Sequence, residues 1–350
     1  MDNPLVMRIV LLLIIAGCAF GIITATAERP ELTIRVAFLA SIDDEDYIGA
    51  EAFKRVVEQR LGSRVSVQIF PSGQFCGSER ECIEALQSGI LEVHQTTVGG
   101  LAGLFGAAQV LDLPYVFRDD AIAECVVDGP IVREMGSEIL GTGLGLRLMV
   151  VGNTGGWRSF ATTRQRIAAI GDLRGLRIRT LPSAMEQEMV RELGANPMPL
   201  PWSEVYGALG AGLINGIKNS VQDVVGMKLN DHIRHLLVDR HSYMAAIWWY
   251  SEVGWQRLSA EQQEAVAAGF EALAIATRKA ARERELPALA EFERRGGTVD
   301  VVTDAQREQF RAATVDLRQW YAARFDPRWL QRLDRDIARC EALHPPGASL

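Results

Sequence analysis

The chain has 350 residues, enough for two lobes with sizeable cores once a leader is set aside. Its 44 acidic side chains outnumber 37 basic ones and leave a net charge of −7. An acidic balance of this kind argues against nucleic acid as a partner.

The N-terminus has the form of an export signal. Arg8 precedes an unbroken apolar or small run from Ile9 to Ile23, and Thr24-Ala25-Thr26-Ala27-Glu28 supplies an A-x-A cleavage pattern. At ~1.5 Å per residue the run is short for a ~30 Å hydrocarbon core. Residues 1–27 are therefore read as a signal peptide cleaved after Ala27. Ile15-Ala16-Gly17-Cys18 fits a bacterial lipobox, so lipid anchoring at Cys18 is the alternative.

Alternation predicts a strand over 32–39, followed by a polar loop, Ser41 to Asp46. Ile48, Phe53, Val56, Val57 and Leu61 recur at helical spacing over 47–61. A strand over 64–70 ends at Pro71-Ser72-Gly73, and a helix over 78–88 stops at Gly89. This β-α-β-α opening implies a parallel sheet with helices on its faces. Further on, a strand is expected over 145–151, a short helix and strand over 167–179, and a helix over 184–193. Another helix should run over 202–213, entered through Pro201 with Ser203 as a possible cap. Residues 260–295 form a long helical pattern broken at Gly296-Gly297. A short strand over 298–302 follows, and Thr303 caps a helix through 325. The α/β body with long C-terminal helices fits two lobes braced by those helices. The expected division is 28–154 with about 244–283, and 155–243 with about 284–340, leaving 341–350 as a frayed tail.

Cys76, Cys82, Cys125 and Cys340 remain after export, an even number in an oxidising compartment. Cys76 and Cys82 flank a turn and a helix start and are paired on that ground. Cys125 with Cys340 would then tie the last helix to the body. Reduced, buried thiols are the alternative. No C-x2-C spacing suggests zinc.

The usual nucleophile, zinc-protease and phosphate-loop signatures are missing. Gly141 to Gly145 precedes a strand, the wrong context for a dinucleotide loop, and is read as a turn. His232 and His235, near Asp231 and Asp239, could ligate a metal, but a solvated helix face is favoured. Asp43-Asp44-Glu45-Asp46 is favoured as a solvated loop. It follows the first strand, where α/β folds bind ligands, so it could instead meet a calcium ion or a cationic ligand group. Trp248 and Trp249 lie in the apolar segment Met244 to Tyr250 and are assigned to the core.

Five stretches are jointly specific: FPSGQ with a helix ending QSG (70–89), LDLPYVFRD (111–119), GWRSF (156–160), DLRGLRIRTLPS (172–183), and LGANPMPLPWSEVYGAL with GLINGIKNS (193–220). In order and spacing, from residue 32 to about 270, they resemble the solute-binding proteins of tripartite ATP-independent periplasmic (TRAP) transporters. The resemblance implies a type II periplasmic-binding-protein-like α/β fold, with two lobes joined by hinge strands, and a periplasmic location. It implies that the cleft captures a small organic carboxylate for the transporter's membrane subunits, with no cofactor, no metal and no catalysis. Carried over residue by residue, Arg179 would pair with the carboxylate and Arg158 would assist. Asn219 would contact the carboxylate region, Trp202 would pack on the ligand, and His241 is a further candidate. The sequence departs from the pattern at Lys218 and Ser220, where the family usually has Glu and Pro. Lys218 could add positive potential or point outward. Independently of the family, an arginine at a strand end offers a planar fork matched to a carboxylate. The rival readings are an exported metal-dependent hydrolase and a ligand sensor for a membrane receptor.

Overall fold

The computed structural model describes residues 30–346, so the leader, Cys18 and Ala27 lie outside the described residues. Nine strands are described: β1 (Leu32–Ala37), β2 (Val65–Phe70), β3 (Val93–Thr97), β4 (Leu146–Thr162), β5 (Arg177–Thr180), β6 (Asn196–Pro199), β7 (Gly216–Asn219), β8 (His235–Ser251) and β9 (Thr298–Val301). They form one sheet in the order β2-β1-β3-β8-β4-β7-β5-β6, with β9 on the free side of β8.

β4 and β8, each of 17 residues, run antiparallel through both halves of the molecule. Toward its end β8 pairs with β3, whose other neighbour is β1; at its start it pairs with β9. The end of β4 pairs with β7, which leads to parallel β5 and β6. Two half-sheets thus share two crossing strands, the arrangement of two lobes joined by hinge strands. The register of β4 on β8 slips between Asn153 and Trp157. Gly155 and Gly156 sit there at φ +102° and +90°, a region that favours glycine.

The helices of six or more residues are α1 (Glu45–Leu61), α2 (Glu79–Ser88), α3 (Asp120–Val127), α4 (Pro130–Gly141), α5 (Ala184–Glu192), α6 (Val205–Gly210), α7 (Val221–Gly226), α8 (Ala260–Arg294), α9 (Asp304–Ala313), α10 (Leu317–Ala322) and α11 (Arg328–Leu343). Side-chain oxygens of Asp44, Ser78, Ser183, Ser220, Ser259 and Thr303 accept N–H groups of the first turns of α1, α2, α5, α7, α8 and α9. Such caps satisfy donors that a helix cannot satisfy internally.

α8 lies across the molecule. Val266, Phe270 and Leu273 pack with Phe53 and Val57 of α1 over the first half-sheet. A Cβ at Gly269 would come within 2.7 Å of Val57, so glycine permits the close approach. Beyond Pro287, Leu289 and Phe292 join Val205, Leu209 and Ile217 over the second half-sheet. Trp248 and Trp249 are fully buried. No helix among the described residues is long and apolar enough to cross a membrane.

Several expectations need correction. Ser203 caps nothing: Trp202–Glu204 is a 3-10 turn, and α6 starts at Val205 without a side-chain cap. The helix expected from Thr303 through 325 breaks between Ala313 and Leu317 into α9 and α10. His232 and His235 share no helix; His232 follows a 3-10 turn and His235 opens β8. α11, assigned with the second lobe, packs on α3 and α4 beside the first half-sheet. Its Asp336 Oδ2 accepts the Ile131 N–H of α4 at 2.7 Å, and Cys340 is joined to Cys125 of α3. Cys76 is joined to Cys82. Residues 341–343, expected in the tail, complete the helix.

Candidate functional site

Where the half-sheets face each other, strand ends and helix N-termini enclose a polar chamber of about 60 Å³. Leu39, Glu79, Leu181 and Trp202 also border a wider outer cleft of about 660 Å³, where leucine, isoleucine, proline and tryptophan side chains mix with Arg80, Glu84 and Gln87. A polar cavity needs about 10–15 Å³ per water, so the chamber accommodates a handful of waters or one polar headgroup.

Four of the five expected binding residues line the chamber: Arg158 of β4, Arg179 of β5, Trp202 of the 3-10 turn and Asn219 of β7. Arg179 is 2% exposed. Its Nε and Nη2 donate to the Leu200 carbonyl at 3.0 and 2.8 Å, and its guanidinium carbon lies 5.4 Å from the Trp202 ring centroid. Two donors spent on one carbonyl and a stack on an indole lock the fork in place. Burial pushes this guanidinium down to about 10, still fully charged at neutral pH. Arg158 Nη1 donates to Asn219 Oδ1 at 3.3 Å, and its buried Nε has no partner among the described residues. Asn219 in turn donates from Nδ2 to Asp223 Oδ2 at 2.6 Å.

His241 is not at the chamber. Its ring is buried beside Phe160, 4.8 Å between centroids, with Nδ1 2.9 Å from Asp239 Oδ2. Tyr115 Oη donates to the same carboxylate oxygen at 2.7 Å. Asp239 thus holds His241 in the core beside Phe160, outside the chamber lining. His232 and His235 also lie outside the chamber lining.

Lys218 points inward, so the outward alternative is excluded. Its Nζ lies 2.9 Å from Glu186 Oε2, and both side chains are 3% exposed. Burial raises the Glu186 carboxyl, but the Lys218 ammonium and the Arg158 guanidinium outweigh it and hold the group at about 2. Lys218, with one close acid, is pushed down to about 8 by burial. The pair supports the Leu181 turn, where Glu186 Oε2 also accepts a backbone N–H at 2.9 Å. Ser220, the second departure, caps α7 through Asp223 N–H at 3.0 Å.

The chamber also holds acids that the sequence did not point to strongly. Asp44 and Asp46, favoured as part of a solvated loop, line it together with Glu79, Asp223, Gln95 and Thr97. The loop folds inward because Asp44 caps α1 and Asp46 accepts Thr154 Oγ1–H of β4 at 3.1 Å. Burial, then neighbouring Asp46 and Glu45, raise Asp44 well above the usual carboxylate range. Burial pushes Glu79 up to about 7 against the pull of Arg179. Glu79 and Asp223 each follow a serine cap, the one signal that could have flagged them.

With this geometry in view, comparisons with known proteins converge. The model of the bacterial extracellular solute-binding proteins, family 7, matches residues 37–324. The 2,3-diketo-L-gulonate-binding periplasmic protein of Escherichia coli is 26% identical, over 85% of this chain and 88% of its own. The ectoine/5-hydroxyectoine-binding periplasmic protein of Ruegeria pomeroyi is 26% identical, over 87% of this chain and 88% of its own. A crystal structure of a TRAP periplasmic solute-binding protein from a Polaromonas species, bound to D-erythronate, superposes with a TM-score of 0.81 at 25% identity. It covers 88% of this chain and 98% of that one.

Proposed function

The chain belongs to the bacterial extracellular solute-binding proteins of family 7, and from that premise we propose that it captures a small organic carboxylate in the interlobe chamber and delivers it to the membrane subunits of a TRAP-type transporter. The export signal supports delivery outside the cytoplasmic membrane. The relatives named above bind a keto sugar acid, D-erythronate and ectoine, and each of these carries a carboxylate.

The observation that carries the reading is Arg179, buried and pinned by Leu200 and Trp202 at the wall of the chamber, with Arg158 also in the lining. A carboxylate entering there loses hydration worth several kcal/mol, and a charge-assisted fork replaces it. His232 and His235, on which a metal-dependent hydrolase would rest, are not part of the lining.

The test is calorimetry on Arg179 variants after a thermal-shift screen of small acids has supplied a ligand. A bound acid at 100 times its Kd should add about 2.7 kcal/mol of stability. Arg179→Ala should fold and lose about 2–5 kcal/mol of affinity, and Arg179→Lys should not restore it, because an ammonium cannot reproduce the fork. Near-normal affinity in folded Arg179→Ala would defeat the carboxylate assignment.

A further inference from the structure

The acids around the chamber are not balanced by the cations around it. Asp44, Asp46, Glu79 and Asp223 face only Arg158 and Arg179 in the lining. Glu186 has Lys218, and Glu45 has Arg284 at 3.3 Å. Glu79 is drawn to Arg179. Asp44, Asp46 and Asp223 have no cationic side chain within ion-pair distance among the described residues. Their partners are Thr154, Asn219, Ser220 and backbone N–H groups. Asp46 is fully buried, yet its Oδ1 has no hydrogen-bond partner. Beside Arg179, Arg158 Nε is a buried donor without a partner, and Gln95 Nε2 of β3 is another in the lining.

An unspent donor on Arg158 and an unspent acceptor among three acids mark two poles. Asn219 joins them, accepting from Arg158 and donating to Asp223, so the poles are separated by roughly one side chain. A plain carboxylate would satisfy the first pole and add a further negative charge beside the second. A ligand with a cationic nitrogen near its carboxylate satisfies both without changing the chamber's net charge. Burial, and then repulsion from neighbouring acids, raises Asp44 and Asp46 well above the ordinary range, so a cation beside them would favour their charged forms.

We propose, resting on the carboxylate reading above, that the physiological ligand is a zwitterion, a carboxylate with an ammonium or amidinium group within a few bonds of it, and that Asp44, Asp46 and Asp223 receive the cation. Its remaining carbon skeleton would lie along the apolar side chains of the outer cleft.

The test is a matched-pair titration on the full exported protein. One panel holds proteinogenic amino acids, N-methylated amino acids and cyclic amidinium carboxylates. The second holds their analogues without the cationic nitrogen, with leucine against 4-methylpentanoate and proline against cyclopentanecarboxylate, and also sugar acids and dicarboxylates. The expected result is a member of the first panel that binds at least about tenfold tighter than its analogue. Asp44→Asn should erase that difference by weakening the zwitterion far more than its analogue, with the fold kept because asparagine can still cap α1. Asp46→Asn should do the same and serves as the second variant. If sugar acids or plain acids bind best, or if the variants weaken both members of a pair equally, the zwitterion assignment is overturned and the carboxylate reading stands. If neither panel binds, the carboxylate reading fails with it.

Discussion

Replacing Lys218 by methionine separates a structural lysine from a ligand-binding one. The variant keeps most of the side chain's apolar length and removes its charge. Glu186 would be left buried with Arg158 at 4.0 Å and the Leu181 N–H as its remaining support. Lys218 is the largest influence holding Glu186 at about 2, against an ordinary value of 4.5. If the group returns to that ordinary value, the loss is about 3 kcal/mol at neutral pH, at 1.36 kcal/mol per unit. Measured costs of breaking a buried pair, about 3–5 kcal/mol, are of the same size. The sign follows from the depressed carboxyl. Its stabilisation is present above the unfolded value and is lost as pH falls through 4.5 toward 2. Urea unfolding of Lys218→Met, Glu186→Gln and the double variant gives the coupling energy directly, and about 2 kcal/mol or more is expected. Since Lys218 is absent from the chamber lining, the folded variant should bind ligand nearly as the parent does. Additive single effects, or lost affinity at unchanged stability, would refute the structural role.

Two further outcomes follow from the same chemistry. Burial raises Glu45 and Glu79 to about 7, so the folded state takes up protons there that the unfolded state releases down to 4.5, and stability rises as pH falls through 7. His94, held at about 4 by burial, acts oppositely and costs stability below 6.5. The melting temperature of the ligand-free protein should therefore be higher at about pH 6.5 than at about pH 8, and a flat or inverted profile contradicts the raised acids. For the disulfides, chain entropy predicts about 5 kcal/mol from the 215-residue separation of Cys125 and Cys340, and only about 2 kcal/mol from the 6-residue separation of Cys76 and Cys82. Double serine variants compared by urea unfolding should keep that order.

Elements were legible where one face meets water. β1, α1, β2 and α2 have a clean period and capped ends, and their expected limits fall within a few residues of those found. β3 was missed because its sequence, VHQTT, is polar: Gln95 and Thr97 serve the chamber, and His94 is buried on Ala37 O at 2.8 Å. β4 was read only to Val151 because Gly152, Gly155 and Gly156 look like a turn, while in the fold they ease a crossing strand past its neighbour. Arg158, Arg179, Asn219 and Trp202, expected from a specific linear pattern, all lie in the chamber lining. Asp44 and Asp46 were undervalued, since a run of acids carries no sign of the burial that packing imposes. His241 lies outside that lining, its ring held in the core by Asp239 two residues away.

The long helix behind the lobes has a mechanical consequence. At 35 residues and about 1.5 Å each, α8 is a rod of about 50 Å anchored at both ends. Pro287 lies between the stretch that packs on α1 and the stretch that packs on Leu209 and Ile217. Its missing N–H leaves the Glu283 carbonyl without an intrahelical donor, so resistance to bending is lowest there. Glu285 and Arg284, just before it, grip opposite halves through Arg240 and Glu45. The rod is therefore a stiff beam with one compliant joint, set level with the gap it spans.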